Sequence, residues 1–204
     1  VMSQAEAFSG LTSFTSADIA TSAALAYGVF AADMDGDGDM DILSASNADN
    51  TIAWYENNGD ANPTWTATDI ATDAAGANSV FAADMDGDGD MDILSASHND
   101  NTIAWYENNG DANPTWTATD IATSAAGALS VYAADMDGDG DMDIVSAGFS
   151  DNTIAWYENN GDANPTWAAA DIATDAAGAS GVYAADMDGD GDMDIISASS
   201  NDNT

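Results

Sequence analysis

Apolar residues along this chain come in short runs cut by clusters of Gly, Asp and Asn, and no window places them at helical spacing. The runs SVFAAD (79–84) and DILSAS (92–97) predict two strands on either side of an acidic segment. TIAWYEN (102–108) predicts a third strand, with Ile103, Trp105 and Glu107 on one face and Ala104 and Tyr106 on the other. Asn108-Asn109-Gly110-Asp111 predicts a hairpin turn, Asn-Gly supplying the positive φ of a primed turn. WTATDIAT (116–123) predicts a fourth strand. The Ala-rich stretches between such sets are too short and too Gly-broken for helices.

The whole set recurs. Identical DMDGDGDMD segments open at Asp33, Asp84, Asp135 and Asp186, 51 residues apart, and four times 51 is the 204-residue chain. IAWYENNGDANPTW stands unchanged at 52–65, 103–116 and 154–167. At the N-terminus the aligned stretch, VMSQAEAFSGLTSF, has decayed, and the register returns at Asp18-Ile19-Ala20-Thr21, which matches Asp69-Ile70-Ala71-Thr72. Four short strands per repeat predict an all-β, β-propeller-type array of four blades in one repeat domain, 1–204, with a stacked solenoid as the competing architecture. The blade-like units are 22–72, 73–123 and 124–174, flanked by partial units 1–21 and 175–204. Residues 1–21 are expected to complete the blade begun by 179–199, within one chain, in a two-chain ring or in a head-to-tail filament. A trimmed piece of a longer protein is the other expectation, and Val1 in place of Met fits a processed or trimmed chain.

The acidic segment carries the chemistry. Calcium takes six to eight hard oxygen ligands from alternate positions of a tight loop. Asp33, Asp35 and Asp37 stand at positions 1, 3 and 5; Asp39, at position 7, offers its backbone carbonyl, and Asp41 closes the loop at position 9. The same candidate metal ligands are Asp84, Asp86, Asp88, Asp90 and Asp92 in the second unit and Asp135, Asp137, Asp139, Asp141 and Asp143 in the third. In the fourth they are Asp186, Asp188, Asp190, Asp192 and Asp194. Gly36 and Gly38 permit the turn. The loop is too short for an EF-hand, ends in Asp rather than Glu and runs into a strand, Ile42-Leu43. A merely solvated acidic turn would not keep Asp at every odd position in four copies. Magnesium suits the segment less, since it usually keeps several waters. The expected cofactor is Ca²⁺, one per repeat, and four ions would take the formal charge from −37 to −29 (−37 + 8). Metal binding is then coupled to folding.

Composition narrows the partners. With 37 acidic residues and no Lys or Arg, the chain lacks the cations that nucleic acid or an anionic membrane surface requires. No apolar run approaches the length of a membrane span. There is no Cys, so neither disulfides nor thiol chemistry enter. The 45% hydrophobic content, with six Trp and six Tyr, marks a folded chain rather than an acidic tail. An acidic, Lys-free and Cys-free composition suits an extracellular or cell-surface protein in calcium-containing water, and denies trypsin-like proteases a site.

The DxDGDGxxD loop after an apolar V-x-A-A-D strand, followed by D-I-x-S-A and then W-Y-E-N, resembles the FG-GAP/VCBS repeat family, which includes the blades of integrin α-subunit heads. The resemblance covers all four units, the first without its W-Y-E-N segment. It implies an extracellular β-propeller with a calcium in the loop joining the first two strands of each blade. Four repeats are fewer than such propellers usually carry, which leaves simple ring closure open.

Differences between near-identical repeats stand out. Asn47, His98, Phe149 and Ser200 share one position, and Tyr27, Asn78, Leu129 and Ser180 share another. Both are expected in loops on the face opposite the calcium loops, where a glycan or protein ligand would bind, although loop tips also drift freely. His98 is a loop-tip residue, and the Trp54-Tyr55 and Trp65 sets are expected to pack blades rather than stack sugars. The Asp clusters could suggest a glycosidase pair, but one loop design accounts for all twenty aspartates of the four acidic segments. No Ser-His-Asp set, phosphate loop or basic patch is present, so no enzyme is expected. The reading is a calcium-binding extracellular structural or adhesion repeat protein that self-associates, with a lectin-like binding module as the alternative.

Overall fold

The computed structural model describes residues 17–201, so the expected role of residues 1–16 in completing a blade lies outside the described residues. The expected pattern of short strands is what the chain forms. Sheet 1 comprises β1 (Ala26–Ala32), β2 (Asp41–Ser46), β3 (Thr51–Asn57) and β4 (Trp65–Ala71), paired antiparallel in chain order. Sheet 2 repeats it with β5 (Ala77–Ala83), β6 (Asp92–Ser97), β7 (Thr102–Asn108) and β8 (Trp116–Ala122). Sheet 3 holds β9 (Ala128–Ala134), β10 (Asp143–Gly148), β11 (Thr153–Asn159) and β12 (Trp167–Ala173). Sheet 4 has two strands among the described residues, β13 (Ala179–Ala185) and β14 (Asp194–Ser199). The described residues contain no helix.

Each sheet stacks face to face on the next. The back of sheet 1, with Leu43, Ala45, Ile52 and Trp54, meets the front of sheet 2, with Val80, Ala82, Ile93, Ala104 and Tyr106. Leu94, Ala96, Ile103 and Trp105 meet Val131, Ile144, Ala155 and Tyr157 in the same way, and Val145, Ala147 and Ile154 meet Val182. The alternation in TIAWYEN therefore separates two faces that are both buried, rather than core from solvent.

The stack is tightest at the first strands. Phe30, Phe81, Tyr132 and Tyr183 form a column with ring centroids 4.6, 4.6 and 4.7 Å apart, tilted by about 50°. Between them, backbones almost touch: a Cβ on Gly28 would lie 2.9 Å from Asn78 O. Where Ser replaces that Gly, its hydroxyl bridges the gap, Ser79 Oγ accepting the Val131 N–H at 3.4 Å and Ser130 Oγ the Val182 N–H at 3.2 Å. Outward the sheets part, leaving a cleft between the end of β4 and the third and fourth strands of sheet 2, lined by Ala71, Thr102, Tyr106 and Asp120. The fourth strands are largely exposed.

Two sequence expectations change. Tyr27, Asn78, Leu129 and Ser180 lie inside the first strands, not in the loops before them. The register shifts there, with Ala26 opposite Ser46 but Gly28 opposite Ala45, so the varying residue is the extra one of a β-bulge, free of the ladder and hence free to vary. The turn expected at Asn108–Asp111 is the start of a longer connection running to Trp116. Gly110 does take a positive φ of 67°. The Asn109 side chain then closes the loop, its Oδ1 accepting the Thr115 N–H at 2.9 Å, while Pro114 has no N–H to continue a ladder.

Candidate metal centre

Each acidic segment bridges the first and second strands of its sheet and shapes itself through its own carboxylates. In the first, Asp33 Oδ2 accepts the Gly38 N–H at 3.0 Å, Asp35 Oδ1 the Asp37 N–H at 3.2 Å, and Asp37 Oδ1 the Asp39 N–H at 2.9 Å. Gly36 and Gly38 sit at φ of 72° and 95°, a conformation that a side chain would strain. Bonds of the same kind recur in the other three loops, as with Asp186 Oδ2 and the Gly191 N–H at 3.1 Å.

Folded in this way, each loop brings carboxylate oxygens of three of its aspartates close together. Ligand atoms of Asp33, Asp35 and Asp37 all lie within 4.8 Å of one another, as do those of Asp84, Asp86 and Asp92. Asp135, Asp137 and Asp139 converge likewise, as do Asp186, Asp188 and Asp194. Positions 1 and 3 are common to all four, with 5 or 9 as the third. The position-7 side chains of Asp39, Asp90 and Asp141 instead lie against Gly59, Gly110 and Gly161 in the following loop, which leaves that position its backbone carbonyl to offer.

The ninth position ties the site to the sheet. Asp92 Oδ2 accepts the Met85 N–H at 3.1 Å and Oδ1 the Asn108 N–H at 2.7 Å, so one carboxylate joins the loop to the end of β7. Asp41 and Asp143 do the same with Asn57 and Asn159. Burial pushes the Asp92 carboxyl up to about 7, against the pull of those two N–H groups, and the Asp86 charge pushes the same way. The Trp105 indole favours the charged form, although its buried N–H completes no hydrogen bond. Burial likewise raises Asp35, Asp86 and Asp143, with neighbouring carboxylates adding to the rise.

A divalent cation fits this arrangement. The donors are all hard carboxylate oxygens, several are raised by desolvation and mutual repulsion, and Asp33 Oδ1 is buried without a hydrogen-bond partner. Asp33, Asp35, Asp37 and Asp41 would hold the ion in the first unit, and their equivalents elsewhere.

The profile of an FG-GAP-like repeat matches residues 33–95, 84–146 and 135–197, each match running from one acidic loop through the next. The chain belongs to the FG-GAP repeat family. No curated protein matches it. The FG-GAP repeat is a structural repeat, and its aspartate loops are compatible with calcium binding.

Sequence reasoning overlooked the asparagines that fasten one FG-GAP unit to another. Asn108 Nδ2 donates to Met34 O at 2.9 Å in the preceding loop, and Asn159 Nδ2 to Met85 O at 2.8 Å. Asn50, Asn101 and Asn152, each at a positive φ, accept the N–H of Gly76, Gly127 and Gly178 through Oδ1 at 2.9 Å. The available signal was their invariance among copies beside positions that vary. At the varying loop position the backbone bond persists whatever the side chain: the His98 N–H donates to Gly76 O and the Phe149 N–H to Gly127 O.

Proposed function

We propose that the chain is a calcium-loaded, propeller-type scaffold that works outside the cell in a structural or adhesive role. The observation carrying it is the convergence of three carboxylates in each of four loops, with a buried, unpartnered oxygen on Asp33. Ca²⁺ would supply the positive charge that lets these aspartates stay ionised while desolvated. Sheets that pack closely at their first strands and part towards their fourth suit the wedge-shaped blades of a propeller. A chain of net charge −37 is suited to calcium-bearing surroundings, where cations offset its self-repulsion.

The test is thermal unfolding in chelator against millimolar calcium, beside a calorimetric calcium titration. A site at a thousandfold excess of ligand over Kd adds about 4 kcal/mol. The melting temperature is expected to rise steeply with calcium, and the quadruple change Asp35→Asn, Asp86→Asn, Asp137→Asn and Asp188→Asn to remove most of the rise. Equal melting temperatures with and without calcium would sink the metal reading.

A further inference from the structure

Among the described residues, the two ends of the stack expose faces that the interior buries. Val29, on the front of sheet 1, is 71% exposed, whereas its equivalent Val80 is 5% exposed beneath sheet 1. Ile196, on the back of sheet 4, is 42% exposed, whereas its equivalent Leu94 is fully buried beneath sheet 3. The two faces are the two halves of one interface that the molecule already makes three times.

We propose that a second copy of this chain docks head to tail, the back of its β13–β14 sheet seating on the front of sheet 1 in the register of the internal interfaces. The inference deepens the calcium-scaffold reading and rests on it for charge neutralisation, since two chains of −37 repel each other.

Three features commit the site to this occupant. First, the front of sheet 1 is already occupied in its outer part. Asp18, Ile19 and Ala23 line a hollow there with Val29 and Tyr55, as Ile70 and Ala71 pack at the equivalent place on sheet 2. Among the described residues, what stays open lies over the inner strands, and the described part of sheet 4 has only inner strands to offer.

Second, the molecule contains a precedent for the contact. Gly181 is the repeat equivalent of Gly28, whose missing Cβ lets the β5 backbone approach within about 3 Å; among the described residues only Ala198 lies before a Cβ at Gly181. Docking in the sheet 1–sheet 2 manner would set Gly181 of the incoming copy against Tyr27 of the receiving one and carry the aromatic column from Tyr183 to Phe30.

Third, a hydrogen bond made twice inside the molecule has its two groups waiting at opposite ends. Asn108 and Asn159 reach back to Met34 O and Met85 O. The next equivalent pair is Asn57 on sheet 1 and Met187 on sheet 4, and Met187 is exposed where Met34 and Met85 are buried. The arrangement is heterologous, so each added copy presents a new free end.

The test uses the full chain in millimolar calcium and about 0.15 M salt, where charge repulsion is screened beyond about 8 Å. Sedimentation velocity is followed from micromolar to several hundred micromolar protein. Wild type is expected to grow with concentration into a series of oligomers. Val29→Asp and Ile196→Asp, each at an exposed position, are expected to remain monomeric alone. Their equimolar mixture is expected to form a one-to-one dimer and stop, because only one functional face of each kind remains. A wild type monomeric throughout overturns the proposal, as does a mixture that stays monomeric or single variants that still polymerise. Loss of thermal stability in each dilute single variant, as large as from a core substitution, overturns it in favour of ends that meet within one chain. Calcium titration of the Ile196→Asp protein separates the two readings. Calcium uptake by that protein beside a calcium-loaded wild type that stays monomeric sinks the docking alone, and absence of uptake sinks the metal reading.

Discussion

The second and fourth units carry the same nine-residue acidic segment in different surroundings. Asp92 is 1% exposed between the N–H groups of Met85 and Asn108, whereas Asp194 is exposed and bonded to the Met187 N–H, with no third strand beside β14 among the described residues. Both loops nonetheless keep the same internal bonds from Gly N–H groups to the first aspartate. The shape of the loop is thus local, while the cost of its charge is set by what covers it. Sheet 2 buries its carboxylate and so raises its hold on a proton; the fourth loop leaves its carboxylates exposed.

That contrast yields predictions in order of size. The largest concerns pH in the metal-free protein. Folded Asp92 holds its proton up to about pH 7, while the unfolded chain releases it near the ordinary value of 3.8. Between those values the folded state binds more protons, so stability falls as pH rises, and raised Asp35, Asp86 and Asp143 act in the same direction. Melting in chelator is expected to be several degrees lower at pH 8 than at pH 4, the loss running through about pH 7. In millimolar calcium the order should reverse, because the ion competes with the proton. A flat profile in chelator would mean that Asp92 is not desolvated.

Core truncation comes next. Leu94→Ala removes a fully buried side chain between sheets 2 and 3 and is expected to cost about 2–5 kcal/mol in urea unfolding. Ile196→Ala, at the equivalent position on the exposed face, should change the stability of dilute protein by no more than about 0.5 kcal/mol. Comparable losses would show that the face of sheet 4 is covered even in the monomer.

The smallest effect separates Asn108 from Asn57. Asn108→Ala leaves Met34 O buried without its donor and is expected to cost about 1–3 kcal/mol. Asn57→Ala, whose side chain bonds Met40 O at a half-open site, should cost less. Paired denaturation curves read the difference, and equal losses would show that the bond between units is worth nothing.

Much of this fold was legible in its residues. The strand sets followed from short apolar runs, and β6 and β7 have the predicted limits. The aspartates at positions 1 and 3 converge in every unit because the Asp-Gly alternation encodes loop bonds across two to five residues. Less legible was the place of Tyr27 and its equivalents, because a bulge depends on register against a partner strand. The connection after Asn108 was also misjudged, since Asn-Gly signalled a tight turn while the Asn109 side chain closed a wider one.

By itself, the sequence determined the 51-residue repeat, the all-β strand sets and the self-shaped acidic loops, all of which rest on interactions between near neighbours in the chain. Only the tertiary structure decided that TIAWYEN is buried on both faces, that Asn108 clasps the loop of the preceding unit, and that Asp92 and Asp194 differ. Identical repeats carry no mark of which copy has neighbours, and burial, with the electrostatic cost that follows from it, is a property of the stack.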